Sequence, residues 1–251
     1  MSSKTVHKAL DILEKFSTET PSWGLRELAR ELDLNHTVVH RLLKTFEERG
    51  YLSRNEDSQK YEIGLKILEL SNLVDEKYQV SKQLDAIMHT ISKETGESSV
   101  FTVRDKEHGV FLKIVEGSKT VRFAESEGRR SPLCVGATHK SILAYTPKKA
   151  CRGVIKKALE DRLIDDEKLI MKELEKIQEQ GYAYTSGETF DDVAAIAVPI
   201  FNSNFEIIGS LGIASPTYRL TEEVAKSKVD MLMSFQKEIR ALISSRKTIF
   251  E

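Results

Sequence analysis

Residues Leu25 to Gly50 read LRELARELDLNHTVVHRLLKTFEERG, and this stretch predicts two short amphipathic helices joined by a four-residue turn. Leu25, Leu28, Ala29 and Leu32 stand at i, i+3, i+4 and i+7, the stripe of one buried helix face. Val39, Leu42, Leu43 and Phe46 repeat it. Asn35 suits the start of the second helix, because its side chain accepts a hydrogen bond from a backbone N–H two or three residues on. Gly24 suits the start of the first, and Gly50 falls just past the second, where a left-handed residue ends a helix. The unpacked face of the second helix carries His36, Thr37, Val38, His40, Arg41 and Lys44, with no acidic residue from Asn35 to Phe46. Carboxylates there would meet phosphates, so their absence suits entry into the major groove of DNA. A plain helical hairpin inside an all-α domain would carry the same apolar stripes.

The neighbouring segments favour the first reading. Tyr51–Arg54 and Lys60–Ile63 alternate as two short strands around the polar tip Asn55–Gln59, which makes the unit a winged helix. Arg54 and Lys60 flank the tip, within reach of phosphates beside the groove; a solvated surface hairpin would tolerate the same charges. Upstream, Ser3–Phe16 is expected to form the first helix with Val6, Leu10, Leu13 and Phe16 inward, and Trp23 to plug the core.

Charge adds a constraint. The 251-residue chain has a formal charge of −1, and residues 1–64 carry 10 Lys/Arg against 11 Asp/Glu. DNA binding must therefore rest on where charge sits, and it calls for a dimer on a matching site. Two cysteines, Cys134 and Cys151, give no disulfide framework and point to a reducing cytoplasm. No apolar run is long enough to cross a bilayer, and MSSKTVHKAL lacks a signal peptide's apolar region. Cytoplasmic localisation without a membrane partner is the expectation.

Residues 1–64 form the DNA-binding domain in this reading, 65–78 a stiff linker helix and 79–251 a second domain. There, a helix is expected over Val80–Thr95, then strands at Ser98–Arg104, Val110–Val115 and Thr120–Phe123. Helices follow at Ala137–Tyr145, Lys148–Leu159 and Asp165–Gln180. Strands return at Tyr182–Thr185, Val193–Phe201 and Glu206–Ala214, and a last helix opens at Thr221. This is an α+β plan.

Several blocks carry a family resemblance. ALDILEKF, LRELARELDLNHTVVHRLLKTFEERGYL and KYEIGLKILEL resemble the N-terminal domain of IclR-type bacterial transcription regulators. GRRSPLCVGATHKSILAY is similar to that family's loop and helix over the effector pocket. GYAYTSGETFDDVAAIAVPIF and IIGSLGIASPTYRL resemble the paired strands of the pocket floor. The resemblance implies a winged helix followed by a GAF/PAS-like effector-binding domain, acting on double-stranded DNA at a pseudo-palindromic operator. It also implies a homodimer or dimer of dimers, no cofactor, and a small-molecule effector, commonly a carboxylic or aromatic acid. By motif, the effector lies under Gly136, Ala137 and Thr138 and over Thr185, Val193, Ala195, Gly212 and Ala214. Small side chains leave volume and apolar walls reward an apolar ligand body, so the expected effector is larger than glyoxylate or pyruvate. Alternatively, those small residues only let strands pack against a helix.

A small-molecule-binding enzyme fused to a helix-turn-helix is the competing class. No Gly-rich phosphate loop, HExxH or GxSxG pattern is present. Cys134 and His139 stand where the family usually has His and Gly. They would suit a nucleophile with its base or, joined by Asp191 or Asp192, a metal; ordinary loop residues are the plainer reading. The absent catalytic set favours the regulator.

Overall fold

The computed structural model describes residues 2–78, 82–121, 123 and 125–245. The chain divides into two compact units, Met1–Gln79 and Val80–Glu251.

In the first unit, α1 (Lys4–Leu13), α2 (Leu25–Glu31) and α3 (His36–Glu48) pack beside β1 (Ser22–Trp23), β2 (Leu52–Arg54) and β3 (Tyr61–Ile63), and α4 (Lys66–Tyr78) follows. The core is Ile12, Leu28, Val39, Leu43, Leu52 and Tyr61. Both caps expected from sequence form. The Gly24 N–H donates to the Glu27 carboxylate at 2.8 Å, and the Thr37 N–H to Asn35 Oδ1 at 2.8 Å. Past α3, the Gly50 N–H reaches the Glu47 carbonyl and the Tyr51 N–H the Phe46 carbonyl, with Gly50 at φ 75°. This pair of bonds is a Schellman closure, and it turns the chain directly into the wing.

Two details differ from the sequence reading. The wing is a three-stranded sheet in the order β1-β3-β2, because Ser22 and Trp23 pair with Glu62 and Tyr61. Trp23 packs against the core as expected, and its indole N–H is held by the Lys15 carbonyl at 2.9 Å. Helix α1 also ends earlier than expected and turns differently. Ile12 is buried, whereas Val6 and Leu10 are 55% and 47% exposed. Only the C-terminal end of α1 reaches the core, so its apolar stripe continues beyond the surface this unit covers.

The second unit is built on a six-stranded antiparallel sheet, ordered β6-β5-β4-β9-β8-β7. Its strands are β4 (Ser98–Asp105), β5 (His108–Val115), β6 (Arg130–Pro132), β7 (Ala183–Ser186), β8 (Val193–Phe201) and β9 (Ile207–Pro216). Helices α5 (Lys82–Thr95), α6 (Ala137–Ala144), α7 (Lys148–Glu160), α8 (Glu167–Gln180), α9 (Glu222–Lys226) and α10 (Val229–Ser245) surround it. Strand alternation divides the sheet into two faces. Leu211, Ile213, Ile196 and Val198 belong to the core shared with Leu84, Met88, Leu232 and Ile239 of α5 and α10. Gly212, Ala214, Ala195 and Ala197 point the other way, toward α6. The expected helix start at Val80 lies outside the described residues. Residues Thr120, Val121 and Phe123 are not in a strand; β6 pairs with β5 instead. The last helix is two, α9 and α10, with a break at Ser227 and Lys228 that hydropathy periodicity does not mark.

Candidate functional site

The surface of α3 is as the cap and stripe demand. Val39 and Leu43 are buried, His36, Thr37, His40, Arg41 and Lys44 are exposed, and Val38 is half-buried. Lys44 lies 3.9 Å from Glu48, one turn on, a loose contact that leaves its ammonium in solvent. The two wing cations differ in availability. Arg54 is exposed, its guanidinium 5.6 Å over the Tyr61 ring. Lys60 is bound to the Glu27 carboxylate at 3.0 Å and ties the wing to α2. The Gly24 N–H and Lys60 together hold the Glu27 carboxyl below its ordinary range. Arg54 Nε gives only a long bond, 3.4 Å, to the Gln59 carbonyl, so of the two Arg54 is the more available to meet a phosphate.

In the second unit, the eight residues expected to line a pocket gather on one side of the sheet. Thr185 pairs with Ala195 across β7–β8, and Ala195 with Ala214 across β8–β9. Helix α6 begins directly above them, its Ala137 N–H donating to Thr185 Oγ1 at 3.0 Å. From there the site divides. Val193, Ala195 and Ala214 join an apolar cluster with Val100, Phe111 and Phe123, which Phe190 also packs against. Thr138 and Gly212 instead form a direct helix-on-sheet contact: a methyl on Gly212 would stand 3.0 Å from Thr138 Cγ2 and 2.6 Å from the Ile196 carbonyl oxygen. Ser210 Oγ fastens the same contact by donating to the Thr138 carbonyl at 2.7 Å. At Gly212 the small residue serves close packing.

Cys134 and His139 have separate surroundings. Cys134 is buried with Leu133, Ala137 and Ile142, and burial pushes its thiol pKa up, against what a nucleophile needs. His139 is buried over β5, its ring 5.1 Å from that of Phe111 and its Nδ1 3.1 Å from Thr138 Oγ1. Burial lowers its pKa to about 4, only partly offset by the Gly109 backbone. Asp191 and Asp192 are exposed, and the described residues contain no cluster of three or more metal-ligating side chains.

Comparison with known proteins identifies the architecture. Residues 5–56 match the IclR helix-turn-helix domain, and residues 74–241 match the family described as bacterial transcriptional regulator IclR C-terminal. The chain belongs to the IclR family. It is similar to the HTH-type transcriptional regulator KipR of Bacillus subtilis (strain 168), 32% identical over 225 residues, covering 88% of this chain and 89% of that one. It is 28% identical to KdgR of Escherichia coli (strain K12) over 244 residues, covering 96% and 92% of the two chains. An IclR homolog from Microbacterium hydrocarbonoxydans, solved in complex with 4-hydroxybenzoate, shares its fold at a TM-score of 0.73 and 20% identity, over 95% of this chain and 98% of that one.

The protein is thus a DNA-binding transcriptional regulator with the IclR division of labour, a winged helix-turn-helix followed by a GAF/PAS-like domain. Sequence reasoning missed part of the C-terminal site. Phe111, Phe123 and Phe190 come from one strand and two loops far apart in the chain, so no local pattern groups them. Glu188 was passed over too, although the acidic run GETFDD marks its loop as unusual for the edge of an apolar site.

Proposed function

We propose that this regulator binds a pseudo-palindromic operator as a homodimer or dimer of dimers, and that a small organic acid in the C-terminal unit modulates this binding; no catalytic step is assigned. The observation that carries the DNA half is the exposed face of α3 from His36 to Lys44, which carries no carboxylate, on a helix held at both ends by formed caps. Exposed Val6 and Leu10 on α1 and Leu68, Leu73 and Val74 on α4 support association of copies through the first unit. For the effector half, support comes from Phe111, Phe123, Val193 and Ala214 beside the start of α6. They suit an acid with an apolar body more than a two-carbon oxoacid. The helix N-terminus favours its carboxylate. The 4-hydroxybenzoate bound by the Microbacterium homolog is of that class.

Arg41→Ala is expected to weaken operator binding by roughly 1–3 kcal/mol through loss of a base-edge contact. Lys44→Ala should weaken binding evenly across sequences and flatten its salt dependence. Band-shift titrations of both variants at two salt concentrations check this, and unchanged affinity in both would remove α3 from the groove.

A single winged helix contacts too few base pairs to be selective in a genome. Selection from random DNA is therefore expected to return an inverted repeat whose half-site spacing mirrors the dimer. Recovery of one asymmetric half-site bound by a monomer would contradict the proposal.

A further inference from the structure

The loop between β7 and β8 does more than connect two strands. Three of its consecutive residues each press on a different part of the candidate effector site. Glu188 lays its carboxylate on the start of α6: one oxygen accepts from the Gly136 N–H at 3.0 Å, and the other from Lys140 Nζ at 2.7 Å. Thr189 sits against the Gly136 α-carbon so closely that a methyl there would be 2.6 Å from its Oγ1. Phe190 packs its ring onto the apolar cluster of Phe111, Phe123 and Ala214. Its other neighbour is Arg129, whose guanidinium lies 5.3 Å from the ring centroid.

A carboxylate on a backbone N–H and a lysine ammonium at the positive end of a helix, next to a ring in an apolar cluster, is the recognition pattern for an aryl carboxylic acid. Here the chain supplies both halves itself. We propose that residues Glu188–Phe190 are a built-in occupant of the effector site, holding the places of an effector's carboxylate and ring until the effector expels them. This rests on the effector-site reading above and adds to it a mechanism of response. An entering acid must compete with an intramolecular carboxylate, so its apparent affinity falls by the fraction of molecules in which the loop is in place. Expulsion also frees Lys140 from one of its two carboxylate partners, Glu173 and Glu188. The loop leads straight into β8, so its release reaches the central sheet.

The test titrates the full-length protein and its Glu188→Ala, Phe190→Ala and double variants with benzoate and with acetate by calorimetry. Benzoate is expected to bind the double variant at least tenfold tighter than the wild type. Acetate should gain from Glu188→Ala and not from Phe190→Ala. A folded double variant, judged by circular dichroism, that binds benzoate no better than the wild type overturns the proposal. Should the double variant fail to fold, Glu188→Gln keeps the side chain's size but loses its charge. It should bind benzoate severalfold tighter and exchange the Gly136 amide hydrogen faster; wild-type values for both overturn the proposal. Operator binding separates the two readings. Tighter benzoate binding without any effect on operator affinity upholds the displaced loop and removes the effector role. A benzoate-responsive operator complex with equal affinity in all variants does the reverse.

Discussion

Gly212→Ala is expected to lower the stability of the C-terminal unit by roughly 2–3 kcal/mol, and Gly212→Leu to prevent that unit from folding. The added methyl would stand 2.6 Å from the Ile196 carbonyl oxygen and 3.0 Å from Ala197 Cβ and Thr138 Cγ2. The nearest of these is backbone in the middle of a central strand and cannot turn aside. The cost falls on the seam between α6 and the β8–β9 pair, where Thr138 and Ser210 are already bonded. Chemical denaturation of the full-length protein, followed by far-ultraviolet circular dichroism, measures it. An Ala variant as stable as the wild type would show that α6 can lift from the sheet at this point. That result would restore a cavity-lining role to Gly212, the role the sequence reading gave it.

The second large effect is expected at Glu97. Its carboxylate receives both Nε and Nη2 of Arg219 at 2.9 Å and Lys119 Nζ at 2.7 Å, and is almost fully buried. Arg219 also donates to the Val121 carbonyl. One side chain thereby joins the entry of β4, the exit of β9 and the loop that carries Phe123 into the apolar cluster. Glu97→Ala removes the common partner of two cations that water can still reach, and should cost roughly 1–3 kcal/mol through the lost charge-assisted hydrogen bonds. Burial alone would raise the Glu97 pKa, but the bonds from Arg219, Lys119 and Ser215 outweigh it and hold it at about 2, against an ordinary 4.5. A depressed carboxyl contributes its full stability above pH 4.5 and loses it as pH falls toward 2. His139 acts in the same direction in an earlier window. Buried neutral with a pKa near 4 against 6.5, it favours the fold fully above pH 6.5 and loses that contribution as pH falls toward 4. Stability of the wild type should therefore drop in two stages on acidification. Glu97→Ala should flatten the lower stage and His139→Gln the upper. Melting temperatures measured from pH 7 to pH 2 would show this, and identical profiles for all three proteins would refute both assignments.

Much of the N-terminal unit was legible in the chain alone, because its signals are local. Asn35, Gly24 and Gly50 act on backbone groups within four residues, and the leucine stripes of α2 and α3 need only helical geometry to be read. The limit shows at α1. Val6 and Leu10 share the same periodicity as Leu13 and Phe16, yet the domain is too small to cover them. Periodicity reports that a face is apolar and not what covers it. Lys60 shows the corresponding limit for charge: its pairing with Glu27 spans 33 positions in the chain.

In the C-terminal unit, the sequence by itself determined five of the six strands, most helices and the set of small residues on one sheet face, since alternation fixes which side chains share a side; it misplaced β6, which lies at Arg130–Pro132 and not at Thr120–Phe123. Only the tertiary structure decided what that face does. Antiparallel order brought Phe111, Phe123 and Phe190 from distant segments onto Val193 and Ala214, pressed α6 against Gly212, and laid the Glu188 carboxylate on the start of α6. The physical reason is that cross-strand neighbours, helix docking and loop closure are long-range contacts. Their partners are chosen by how layers pack, and nothing in the spacing of residues along the chain encodes that choice.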